Sequence, residues 1–172
     1  MIKSRELLPL VLKQYRLNPQ GIHGVPHWGR VLENGRRLCA VTGADPAVIE
    51  MFSIFHDACR RTEGWDPGHG PRGAALARRF RERTGLDESQ FADLMRACNS
   101  HTTGSLEEAD ITVLTCLDAD RLDIPRVGMQ IRPDLLFTGA GRSQEMLSWA
   151  GERAANKVLP AVCADEWAWL PV

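Results

Sequence analysis

Apolar residues recur at helical spacing along almost the whole chain, and four of the stretches that carry them also turn a titratable group inward. Positions i, i+3, i+4 and i+7 of a helix share one face, at about 100° per residue. His27, Val31, Gly35 and Leu38 make one such stripe, and Val48, Phe52, His56 and Cys59 a second. Leu94 and Cys98 lead to His101, and Leu106, Val113, Leu117, Asp120 and Ile124 line up in the last. A single inward imidazole is met by an ordinary core hydrogen bond, and a single carboxylate by a salt bridge, because leaving either unpaired is costly. Four on converging helices need a common cause. A bound metal ion supplies one, since imidazole and carboxylate are metal donors and the ion offsets their desolvation.

Punctuation supports the helices one by one. Leu7, Leu8, Val11 and Leu12 predict a first helix that ends near residues 18–21. A second runs from about His27 to Thr42, with Val31, Leu38 and Val41 inward and Gly43 as its stop. Asp45-Pro46 is a cap followed by a proline at the first helical position, and the third helix then reaches about Arg60. Residues 63–73, with four Gly and two Pro, read as a long loop, and a fourth helix covers about Gly73 to Arg83. Asp87 and Gln90 have capping-box spacing and open a fifth. A sixth spans about Leu106 to Leu122, a proline-punctuated segment and a turn fill 124–137, and a last helix runs from Ser143 to Val158. The tail containing Trp167 and Trp169 is apolar enough to pack on the body, or to cover a dimer surface. The expectation is an all-α helical bundle, one domain over 1–172, with residues 132–172 packing on the rest.

At 172 residues the chain is long enough to bury roughly two-thirds of its surface. Its formal net charge of −1 gives no sign of extended nucleic-acid binding. The five cysteines (Cys39, Cys59, Cys98, Cys116, Cys163) are odd in number and lack CxxC spacing, so they read as reduced thiols of a cytoplasmic protein. No apolar run of membrane-spanning length occurs, and the N-terminus lacks the pattern of an export signal.

Phase separates the aspartates. Asp118 lies about 160° around the helix from Asp120, which leaves Asp120 as the inward one. Asp118 and Asp123 are expected behind the ligands or in solvent. Asp57 is off the apolar stripe of its helix and can reach a metal only if that helix ends or turns there.

These residues resemble a family. His27, then His56-Asp57 some 29 residues later, then Asp120 in Ala-Asp-Arg-Leu, is similar to the pattern of the HD superfamily of metal-dependent phosphohydrolases, over about residues 20–128. His69 and His101 fall between them in the order used by members with two metals. The resemblance implies a helical bundle with the metal site in its middle. His27, His56, Asp57 and Asp120 would hold one divalent ion, and His69 and His101 a second, with Asp57 bridging. The ion could be Fe, Mn, Co, Ni, Zn or Mg, one or two per chain.

The activity this implies is hydrolysis of a small phosphorylated substrate, a nucleotide or a related phosphomonoester or phosphodiester, by a metal-activated hydroxide. A phosphoryl group needs positive charge around it. Arg72, following His69 at a helix start, is the first choice, with Arg60, Arg61, Arg121 and Arg126 as others. His23 is placed to donate a proton to the leaving group, and Glu63 and Asp66 are further acid–base candidates. Trp28 and Trp65 flank ligand candidates and could stack on a base or fill the core. The same six ligands occur in mixed-valent di-iron oxygenases, and a non-catalytic nucleotide-binding HD module is a third reading.

Overall fold

The computed structural model describes residues 4–102 and 110–169, and among these the regular structure is entirely helical. Nine α-helices follow in order: α1 Ser4–Leu12, α2 Val25–Thr42, α3 Pro46–Phe55, α4 His69–Arg79, α5 Arg81–Thr84, α6 Glu88–Ser100, α7 Ile111–Arg121, α8 Gln144–Ala155 and α9 Ala161–Asp165. Two 3-10 turns, Ile124–Val127 and Pro133–Leu135, bridge α7 to α8.

The punctuation residues act as their chemistry dictates. Asp45 caps α3 by accepting the Ala47 amide at 2.8 Å. Asp87 and Gln90 form a reciprocal capping box at the start of α6. Gly43 ends α2 at φ 75°, a conformation that would strain a residue with a β-carbon. Ser143 caps α8 by accepting the Met146 amide.

α2 is the central element, packed between α3 and α7 and covered at one end by α9. α6 closes the layer against α3, α4 and α7, while α1 lies on α3. Trp28, Phe52, Phe55, Leu32, Leu94 and Leu117 are fully buried where these helices meet. Each such side chain contributes roughly 1.5–3 kcal/mol relative to exposure. The tail closes on its own chain: Trp167 is buried and donates its indole N–H to Ser4 Oγ at 2.7 Å.

Four local expectations change. α3 stops at Phe55 rather than near Arg60, because the chain enters tight turns, with the Ala58 amide on Phe55 O and the Arg60 amide on Asp57 O. α4 begins at His69, not Gly73. Gly70 lets this helix approach α6 and Gly73 lets it approach the end of α3, and Pro71 is tolerated in a first turn whose amides have no intrahelical partner. Val41 is exposed rather than inward, since it lines an open groove where α2 ends beside residues 139–146. The five-residue α9 is an addition. The expected helix start at Leu106 lies outside the described residues, where α7 is seen only from its Asp110 cap onward. No helix among the described residues is long and apolar enough to cross a membrane, and all five cysteines are free.

Candidate metal centre

Every candidate ligand stands at a helix end. His27 lies in the first turn of α2, His56 caps α3 and Asp57 follows it, His69 opens α4, His101 caps α6, and Asp120 sits in the last turn of α7. The break after Phe55 matters most. A continuing helix would turn Asp57 about 100° from His56. With the helix ended, both face the same interior point.

Two donor groups share one carboxylate. Asp57 Oδ2 lies 3.5 Å from His27 Nε2 and 3.8 Å from His56 Nε2. Asp57 Oδ1 lies 3.0 Å from His69 Nε2 and 3.7 Å from His101 Nε2. Asp120 Oδ1 completes the first group at 3.4 Å from His27 Nε2 and 3.8 Å from His56 Nε2. Within each group, the ligand atoms of His27, His56 and Asp57, and those of Asp57, His69 and His101, fall within 4.8 Å of one another. All these histidines and Asp57 are buried, while the Asp120 side chain is 17 % exposed.

The hydrogen bonds behind the ligands fix what the ligands present. His27 Nδ1 faces Asp123 Oδ2 at 2.7 Å. His56 Nδ1 faces the carbonyls of Phe52 and Ser53, both at 3.1 Å. His69 Nδ1 faces Asp66 O at 2.5 Å and His101 Nδ1 faces Cys98 O at 2.9 Å. Each ring therefore donates from Nδ1 and directs an Nε2 lone pair inward. The Nε2 atoms then stand 3.1 Å apart in the His27–His56 pair and 2.7 Å apart in the His69–His101 pair, beside carboxylate oxygens. Lone pairs so crowded repel unless a cation lies among them. A proton is one such cation and a metal ion is another, and a set of imidazole nitrogens with bridging carboxylate oxygens suits a divalent ion.

The titration of the groups follows from this crowding. Burial opposes the ionisation of Asp57, yet His56, His101, His27 and His69 hold it well below the usual carboxylate range. Asp120 is held low in the same way by His27, His56 and His101. Burial pushes His56 down to about 3, against the pull of Asp57 and Asp120. Burial and Arg126 also push His27 down, but Asp120, Asp123 and Asp57 outweigh them and raise it to about 9.

Among solved structures, the fold is similar to the crystal structure of a predicted HD superfamily hydrolase from an uncultured Thermotogales bacterium. The TM-score is 0.66 at 26 % identity, covering 90 % of this chain and 88 % of that one. No family model matches the chain, and no curated protein matches it. The alignment spans the bundle, and the bundle holds the His-Asp clusters at its centre. The chain has the fold of an HD-type helical bundle.

The remaining candidates divide between the centre and its surroundings. His23 is 7 % exposed, with Nδ1 2.5 Å from Glu63 Oε2, and its ring centroid is 6.2 Å from that of His27. Burial lowers its pKa against the opposing pull of Asp57 and Glu63. Arg72 stands apart from the clusters: its Nη2 holds both oxygens of Asp66 at 2.6 and 2.5 Å, and its Nε donates to Cys59 O. Arg60 reaches the centre instead, with Nη1 3.4 Å from Asp57 Oδ1 and 3.3 Å from the His69 ring nitrogens. Trp28 is core, edge-on to Tyr15, and Trp65 is exposed.

A cavity of about 360 Å³ opens beside Asp120 and His101, walled by Ile124, Met129, Ile131 and Leu136 and edged by Arg121, Arg126 and Arg132. Arg126 is anchored there by its Nε on Ile22 O and its Nη1 on Asp123 O.

Asp123 and Asp118, indistinguishable by composition, have different tasks. Asp123 holds His27 and pairs with buried Arg30. Asp118 is fully buried and accepts the amides of Phe137 and Thr138 and the Thr138 hydroxyl. It is a loop anchor, neither solvated nor behind the ligands. Tyr15, the chain's one tyrosine, carries a buried hydroxyl with no partner among the described residues. Its place beside Trp28 depends on the loop after α1, and nothing in its sequence context signals it.

Proposed function

We propose that the protein is a metal-dependent phosphohydrolase acting on a small phosphoester, with a nucleotide-sized substrate in the cavity beside Asp120. The observation that carries the reading is the pair of imidazole clusters joined through the two oxygens of Asp57, next to a cavity edged by arginines. The predicted HD hydrolase with the similar fold supports the hydrolytic part.

His27, His56, Asp57 and Asp120 would hold one divalent ion, and His69, His101 and the other oxygen of Asp57 a second. The histidine-rich donors favour Mn, Fe, Co, Ni or Zn over Mg. Such an ion supplies Lewis acidity and a bound water acidic enough to ionise near neutral pH.

The chain's own groups do the rest. Arg126 takes the role of phosphoryl contact that Arg72 held on sequence grounds, because it edges the cavity with its orientation already set. Arg121 and Arg132 add positive charge on the same rim. Ile124, Met129, Ile131 and Leu136 offer an apolar wall for the organic part of the substrate. The cavity volume lies near the lower end for small-molecule sites, which fits a mononucleotide better than a polymer. His23, with its Nδ1–H directed at Glu63 and its lowered pKa, is neutral at pH 7 and leaves Nε2 to accept a proton. It suits a base better than the proton donor expected from sequence. Arg60 positions Asp57 and His69.

The test is phosphate release from a panel of nucleotides and p-nitrophenol release from bis-p-nitrophenyl phosphate, with each metal added in turn. Metal-dependent release, abolished in Asp57→Ala, supports the proposal. Turnover that stops when oxygen is removed, with no phosphate released from any substrate, would replace it by the oxygenase reading.

A further inference from the structure

A second concavity, of about 220 Å³, is lined in part by Arg60, whose Nη1 also contacts Asp57, and contains none of the candidate metal ligands. Its lining brings together Arg16 from the segment after α1, Arg60 and Arg61 from the turns after α3, and Arg72 and Arg79 from α4, with Cys59 among them. Arg72 is neutralised by Asp66, and Arg60 faces Asp57. Arg16, Arg61 and Arg79 are exposed, and their guanidinium groups pair with no carboxylate among the described residues, the Arg61 backbone amide alone donating to Asp66. Five guanidinium groups thus face two carboxylates, in a chain whose formal net charge is −1. Folding brings these charges together against their mutual repulsion, since they come from three separate segments. Apart from Arg60, none of them has a part in the proposed reaction.

We infer that this concavity binds a small compound with two or more linked phosphoryl groups, at a site distinct from the metal centre. Guanidinium forks match phosphoryl oxygens in pairs, and a ligand with several negative charges relieves several arginines at once. The space admits a pyrophosphate-sized group and is too small for a large organic ligand. Arg60 is common to both sites, so an occupant here touches the residue that holds Asp57 and His69.

Cys59 gives a local readout, because its half-buried thiol is part of the lining. The metal-loaded protein would be alkylated with N-ethylmaleimide, with and without inorganic pyrophosphate, and Cys59 modification followed by peptide mass spectrometry. Cys39, half-buried in α2 and outside the lining, is the internal control. Pyrophosphate should slow alkylation of Cys59 about fivefold or more and leave Cys39 unchanged. In the double variant Arg16→Gln/Arg79→Gln, the pyrophosphate needed should rise about tenfold or more. Both substitutions are at exposed residues, and an unchanged circular dichroism spectrum would verify the fold. No protection at millimolar pyrophosphate would overturn the inference. So would equal protection in wild type and double variant, which would assign the effect to the metal centre. Orthophosphate protecting at the same concentrations as pyrophosphate would overturn the requirement for linked phosphoryl groups.

Discussion

His27 donates its Nδ1–H to Asp123 across 2.7 Å, and Arg30 grips the same carboxylate through Nε at 2.6 Å and Nη2 at 3.1 Å. All three are buried, so one aspartate both orients a ligand of the candidate metal centre and neutralises an interior cation. The two tasks separate by substitution. Asp123→Asn keeps an acceptor for His27 but loses the charge, and metal affinity should fall about 10–100-fold. Asp123→Ala strands Arg30 as well, and should destabilise the fold by about 3–5 kcal/mol. Metal titration and urea unfolding of both variants check this. Wild-type metal affinity in Asp123→Asn would show that the carboxylate does not tune His27.

The opposite shifts of His27 and His56 give the metal-free protein a stability maximum near pH 6.5. His27 is raised from 6.5 to about 9, so its contribution is fully present below pH 6.5 and is lost as pH climbs through 9. His56 is lowered from 6.5 to about 3, so its buried neutral form opposes folding increasingly as pH falls below 6.5. A bound metal displaces the proton on His27, and the alkaline decline should vanish in the loaded protein. Metal uptake at pH 7 should release about one proton from this residue, measurable by calorimetry in buffers of different ionisation enthalpy. An alkaline decline that is identical with and without metal would mean that His27 is not a ligand.

Much of this centre is legible in the sequence because helical phase and side-chain chemistry are both local. His27, His56, His101 and Asp120 fall on apolar stripes, and a carboxylate or imidazole there has to meet a partner. Capping residues mark helix starts equally well, as Asp45, Asp87 and Ser143 do. What escapes is set by tertiary packing. Arg72 follows a ligand in the sequence yet turns to Asp66, whereas Arg126, far from His69 in the chain, edges the cavity. The tasks of Asp118 and Asp123 depend on which loop or helix faces them, and the glycines of α4 answer to their neighbours, Gly70 to α6 and Gly73 to the end of α3, rather than to local propensity.

The shared carboxylate predicts an asymmetric response to ligand removal. His69→Ala or His101→Ala should leave one ion per chain, because His27, His56, Asp57 and Asp120 remain together. Asp57→Ala should lose both. Elemental analysis after gel filtration reads the stoichiometry directly. Two ions per chain in His69→Ala would remove that residue from the ligand set.

Asp118 and Asp120, two residues apart, should fail in opposite ways. Asp118→Ala leaves the Phe137 and Thr138 amides and the Thr138 hydroxyl without their acceptor, and should destabilise by about 3 kcal/mol with metal content unchanged. Asp120→Ala takes a carboxylate out of a crowded centre, and should weaken metal binding while removing, in the metal-free protein, only part of the support that raises His27. Thermal unfolding and metal analysis of the pair test the division. Loss of metal in a folded Asp118→Ala would contradict it.

Gly70 connects α4 to the second cluster by the absence of a side chain. A β-carbon there would press on Cys98 O, which the structure cannot move without shifting α6, and would stand 3.1–3.2 Å from the His101 ring. Cys98 O is also the acceptor that orients His101. Gly70→Ala should therefore disturb His101 while leaving His27, His56 and Asp120 in place, at an overpacking cost of about 1–3 kcal/mol. The expected product is a folded protein with one ion per chain and a lowered unfolding temperature, resembling His101→Ala in metal content. If Gly70→Ala binds metal as the wild type does, the contact between α4 and α6 does not control the second cluster.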